Sequence, residues 1–150
     1  MSAWYNHRTI RMTAFKKILV GVDGSDNSLR AAQIAAEIAA LFRSEIVLLH
    51  VLQPTESAYY TGMPTTEEAE RAKGEEKLYP AKAVCEEAGL KPDLKVKLGN
   101  PAEVILDLAE EGFDLVIVGN RGMNALARFL MGSVSSRVVQ FSKVPVMVVP

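Results

Sequence analysis

The chain has 150 residues, 49% of them hydrophobic and 23% charged, which is enough for one domain with a sizeable core. Its formal net charge of −1 supplies no basic footprint for nucleic acid, so a polyanion partner is not expected. The single cysteine, Cys85, excludes an intramolecular disulfide, and with only His7 and His50 beside it there is no structural zinc constellation. No apolar run approaches the ~18 residues of a membrane helix. Met1 to Phe15 also lacks the apolar centre of a secretory signal. The expectation is a cytoplasmic protein with no membrane partner.

Residues 1–15 show no clean periodicity and read as an N-terminal extension to a domain spanning 16–150. They fit a poorly ordered tail, a start-site artefact with Met12 as the true start, or an arm packing on a partner subunit. Lys17 to Val22 is a short, nearly continuous apolar run, the pattern of a parallel strand covered on both faces. Asp23 to Ser28 then supplies turn and capping residues. From Leu29 to Phe42, apolar Ala31, Ile34, Ala35, Ile38, Leu41 and Phe42 recur at three and four and predict one buried helix face. Ile46 to Val51 is the next strand and completes a βαβ unit.

Leu52 to Thr66 has prolines, a glycine and no period, and reads as a loop whose tyrosines either cover a ligand or simply lie on the surface. Glu67 to Ala88 predicts a charged helix with a thin apolar stripe of Ala69, Ala72, Leu78, Ala81, Val84, Cys85 and Ala88. Pro80 is expected to kink or split it. Asp93 to Leu98 is a weakly alternating strand near a sheet edge. Asn100 and Pro101 are an N-cap and first helical residue, and Val104, Ile105, Leu108 and Ala109 form the buried face of the helix that Gly112 ends. Leu115 to Val118 is a buried strand, Ser133 to Phe141 the last helix, and Val144 to Val149 the last strand, with Pro145 arguing for an edge position. Five strands alternating with four helices predict an α/β fold, a single doubly wound parallel sheet. The pattern leaves the strand orders 2-1-3-4-5 and 3-2-1-4-5 both open.

The chemistry concentrates after the fourth strand. Gly119 and Gly122 follow its carboxyl end, and nine residues later Gly132 and Ser133 open the last helix, with Ser133 placed to cap it and its first amides free for an anion. This G-x-x-G-(nine residues)-G-S pattern, with Asp23 ending the first strand, resembles the ATP-binding class of the universal stress protein family. The likeness extends to K-K-I-L-V-G-V-D-G-S, L-L-H-V, G-N-P-A-E-V-I and the closing P-V-M-V-V-P. It implies strand order 3-2-1-4-5, in an adenine nucleotide α-hydrolase-like fold, and a site where Asp23 and the backbone at Val51 hold adenosine. The phosphates are then expected on Gly119, Gly122, Gly132, Ser133 and Val134, with Val118 beside them in the binding site; independently of the resemblance, Arg121 and Arg128 are placed to add full positive charges. Magnesium or manganese would ride on the phosphates and water rather than in a protein cage. Asn120 stands where the family commonly has serine or threonine.

Neither G-x-x-x-x-G-K-[ST] nor G-x-G-x-x-G occurs, which removes the main support for P-loop and dinucleotide readings. His50 lies in a buried-strand pattern with no nucleophile paired to it and reads as structural. The leading expectation is an ATP-binding regulatory module of the stress-response type. A slow ATPase or autophosphorylating enzyme is the second reading, without a base fixed by motif. A structural dimer that needs no nucleotide is the third. The family resemblance implies a homodimer through the last strand, whose apolar edge would otherwise invite uncontrolled association.

Overall fold

In a computed structural model that describes residues 15–53, 66–121 and 131–150, the five apolar runs become strands. These are β1 (Lys17–Gly21), β2 (Glu45–Leu52), β3 (Asp93–Leu98), β4 (Leu115–Gly119) and β5 (Val146–Val149). They form one parallel sheet in the order β3-β2-β1-β4-β5, the second of the two orders left open by the pattern. Central β1 pairs on both sides, with Leu19 opposite Val47 of β2 and Val116 of β4. Both faces of such a strand are covered, which is why its sequence is apolar without alternation.

Among the described residues four helices make the covers: α1 (Asp26–Phe42), α2 (Glu67–Glu87), α3 (Pro101–Ala109) and α4 (Ser133–Phe141). Residues of α1 and α2 pack with Ile18, Val20, Leu48 and Ile117 on one face. Residues of α3 and α4 pack with Leu19, Val47, Leu49 and Val116 on the other. Burial at ~25 cal/mol per Å² of apolar surface makes these two layers the principal stabilising term.

The helices depart from their expected stripes in an informative way. The buried residues of α1 are Ser28 and Ala31, Ala32, Ala35, Ala36 and Ala39, whereas Leu41 is 81% exposed. The alanines bring the helix backbone close to the sheet, and the larger Ile34 and Ile38 pack only at the flank of that contact. Phe42, at the end, meets Phe15 edge-on at 5.5 Å. In α2, Ala69, Ala72 and Ala88 are exposed, and Gly74 joins Leu78, Ala81 and Cys85 in the buried set. A Cβ on Gly74 would lie 2.6 Å from Val96 Cγ1, so here a missing side chain, not an apolar one, sets the packing.

Pro80 does not split α2, which is one helix over its 21 residues. Pro80 itself is exposed, while Leu78 and Ala81 anchor the helix on either side. The last strand begins at Val146 rather than Val144. Pro145 precedes it but still contributes its carbonyl, which accepts from the Val116 amide at 2.9 Å. Both edge assignments hold, with β3 and β5 at the two ends of the sheet.

Candidate functional site

The order of the strands reverses between β1 and β4, and the connections leave in opposite directions there, opening a crevice at the carboxyl ends. Asp23, Val51 and Gly119 follow or end β1, β2 and β4, so the sheet brings three predicted site residues to one end of three adjacent strands.

Asp23 is already at work within its turn. Its Oδ1 accepts from the Ser25 amide at 2.9 Å and from Ser25 Oγ at 2.5 Å. Gly24 between them sits at φ +87°, a conformation that a side chain would strain. Ser25 is the N-cap of α1, its Oγ accepting from the Ser28 amide at 3.2 Å. The same Oγ lies 3.4 Å from the Arg121 carbonyl, which links the turn after β1 to the segment after β4.

Gly119 has a packing reason as well as a chemical one. A Cβ there would lie 2.9 Å from both Asn27 C and Asn27 Cβ and 3.0 Å from the Ser28 amide. The first turn of α1 therefore rests directly on the end of β4, and only glycine leaves room for it.

After β4, the Asn120 carbonyl gathers two donors, the Gly132 amide at 2.7 Å and Ser135 Oγ at 2.8 Å, while its own amide donates to the Val149 carbonyl. This ties the start of α4 to the end of β4. Ser133 is the first residue of α4 and not its cap, since Gly132 occupies the N-cap position and supplies no side-chain oxygen. The other three helices differ: Ser25, Thr66 and Asn100 each cap with a side-chain oxygen. The amides of Ser133, Val134 and Ser135 have no partner among the described residues, so α4 presents bare donors and the positive end of its dipole.

The other predicted residues divide by exposure. Ser133 is exposed, and Arg121, Val51 and Val134 are half-buried. Val118 is buried in the core under the site. Gly122 and Arg128 lie outside the described residues. His50 is buried, and its Nδ1 donates to the Val22 carbonyl at 2.7 Å, in keeping with a structural imidazole. Among the described residues there is no group of three or more His, Cys, Asp or Glu arranged for a metal ion. A hollow of about 200 Å³ lies between the Gly24–Asp26 turn and Lys77 and Pro80 of α2. Its lining includes neither Val51, Gly119, Gly132 nor Ser133, so it is separate from the predicted phosphate cradle.

The universal stress protein family model matches residues 14–150. The chain belongs to that family. A universal stress protein of Methanocaldococcus jannaschii is 35% identical over 142 residues, covering 90% of this chain and 82% of the relative. Among solved structures, a universal stress protein in complex with cAMP superposes with a TM-score of 0.73 at 28% identity, covering 92% of this chain and 99% of that one. A universal stress protein from Archaeoglobus fulgidus in complex with dAMP gives 0.69 at 25% identity, with 91% and 99% covered. The fold of those structures is shared by this chain. Sequence reasoning missed Ser25 and Ser135 as organisers of this universal stress protein's crevice. The first is legible as D-x-S before a helix, an Asx turn with a cap. The second depends on a contact across fifteen residues and has no local signal.

Proposed function

We propose that this universal stress protein binds an adenine nucleotide, ATP with magnesium or manganese, and acts as a nucleotide-dependent regulatory homodimer. The observation that carries the reading is the uncapped start of α4, held against the end of β4 by Asn120 and opening on the crevice to which Asp23 belongs. Bare amides on one side and a ribose-binding carboxylate on the other suit an anionic nucleoside ligand. Related structures solved with cAMP and dAMP support the adenosine part. Residues 16–150 form the nucleotide-binding unit, with 1–15 as its extension. The site residues are Asp23 and Val51 for adenosine, and Val118, Gly119, Arg121, Gly122, Gly132, Ser133 and Val134 for phosphates. The metal rides on those phosphates.

Binding rather than turnover fits the groups present. His50 is buried in the sheet, and one oxygen of Asp23 is already held by Ser25. The dimer reading rests on the contrast between the two sheet edges. Edge strand β3 carries Lys95 and Lys97, which discourage pairing, whereas β5 is V-M-V-V with Met147 exposed and Val139 and Phe141 exposed on adjacent α4.

The test is to purify the chain without added nucleotide, denature it, identify released small molecules by mass spectrometry, and titrate ATP with Mg²⁺ calorimetrically. Recovered or tightly titrating ATP, lost in Gly122→Val with the fold intact, is the expected result. No binding in the wild type leaves the fold standing and removes the nucleotide function.

A further inference from the structure

The sheet ladder contains an interruption at the place where the base would sit. The Leu52 carbonyl accepts from the Gly99 amide at 2.9 Å, so the Leu52 peptide groups face β3. The Leu49 carbonyl accepts from the Val22 amide at 2.8 Å and faces β1. Alternate residues of a strand face the same neighbour, so the amide and carbonyl of Val51 point toward the β1 side. In a continued parallel ladder the Val51 amide would donate to the Val22 carbonyl. That carbonyl instead accepts from His50 Nδ1 at 2.7 Å, and among the described residues no backbone bond joins Val51 to β1 or the turn after it.

The tautomer follows from the partner. A carbonyl only accepts, so Nδ1 carries the proton. The ring is also confined, because His50 Cδ2 lies 3.5 Å from where a Cβ of Gly74 would be, and α2 packs over it at that glycine. A side chain at Gly74 would crowd both the ring and Val96.

We infer that His50 is a positioning residue for the nucleotide site: by occupying the Val22 carbonyl it keeps the Val51 amide unpaired beside its own carbonyl, as an adjacent donor and acceptor for the edge of an adenine base. This rests on the adenine-nucleotide reading for its ligand, while the interception of Val22 stands on the hydrogen-bond pattern alone. The same bond fixes the peptide immediately before Asp23, so the base-reading edge and the carboxylate are set by one side chain. Sequence pattern gives no hint of it, because the imidazole acts through a backbone atom 28 positions away.

Amide hydrogen exchange in the nucleotide-free chain tests the interception directly. The Val51 amide is expected to exchange at least about tenfold faster than the Leu49 amide, which lies inside the ladder. In His50→Leu the Val22 carbonyl loses its donor, captures the Val51 amide, and slows its exchange by about tenfold or more. His50→Asn retains a donor at the same reach and keeps Val51 exchanging as in the wild type. Calorimetry on the same proteins separates base from phosphate: His50→Leu loses about tenfold in adenosine affinity, His50→Asn recovers it, and inorganic tripolyphosphate binds all three alike. Should His50→Leu not fold, the wild-type comparison and His50→Asn still decide. Equal exchange at Val51 and Leu49, unchanged exchange in a folded His50→Leu, or parallel loss of adenosine and tripolyphosphate would each overturn the role of His50. Fast Val51 exchange that slows in His50→Leu, in a wild-type chain that binds no adenosine, would overturn the nucleotide reading alone.

Discussion

Replacing Gly119 with alanine isolates the contact that joins the two halves of the crevice. The added Cβ would meet the Asn27 backbone carbon and Cβ at 2.9 Å and the Ser28 amide at 3.0 Å, and two of these three are main-chain atoms of a helix that cannot rotate away. To reach ordinary van der Waals separation the first turn of α1 must retreat by roughly 0.5 Å, and a gap of that size forfeits about a quarter of the dispersion attraction across it. The alanines Ala31, Ala32 and Ala35 ride on the same helix and lift with it, so the cost falls within the ~1 to 3 kcal/mol typical of overpacking. For a domain of this size that lowers the thermal midpoint by about 2 to 12 °C. The retreat also draws Ser25 from the Arg121 carbonyl and weakens nucleotide binding beyond what stability alone explains. Calorimetric melting and ATP titration of Gly119→Ala should be compared with Gly89→Ala. A Cβ at Gly89 meets nothing within 4 Å, so the cost there is the strain of its φ of +79° alone. A Gly119→Ala protein that melts with the wild type and binds ATP equally would refute the close approach of α1 to β4.

Two further outcomes follow from the structure. Burial, and secondarily the charge of Glu86, pushes the Cys85 thiol up to about 11 from its ordinary 9.0. The unfolded chain then ionises first on raising the pH, so this contribution is whole below pH 9 and fades toward pH 11, amounting to about 3 kcal/mol at its limit. Chemical denaturation of wild type and Cys85→Ala across that window should show a steeper alkaline loss in the wild type, and parallel curves would contradict it. Placing a lysine on the exposed edge, Met147→Lys, is expected to shift the sedimenting species from dimer toward monomer at micromolar concentration while leaving the melting of the folded unit nearly unchanged. A wild type that sediments as a monomer throughout would remove the dimer from the proposal.

How legible the fold was depends on the range of the forces that set each element. Strands such as Leu115–Gly119 announce themselves because burial on both faces demands continuous apolar residues. The Asn100–Pro101 start of α3 announces itself because a cap is a contact within three residues. The stripes of α1 and α2 were misjudged because side-chain size does not reveal which face approaches the sheet. The close approach selected Ala32, Ala36 and Gly74 over Leu41 and Ala72.

The sequence by itself determined the element order, the spacing of Gly119, Gly122, Gly132 and Ser133, and the family whose site that spacing marks. Tertiary structure bore out the placing of β1 beside β4, and it alone decided that Gly119 is a seat for α1, that Gly132 rather than Ser133 caps α4, and that His50 holds the Val22 carbonyl. The division has a physical cause. Propensities and caps act over a few residues and are written where they act, whereas hydrogen bonds and close contacts between distant segments exist only once the sheet has brought those segments together.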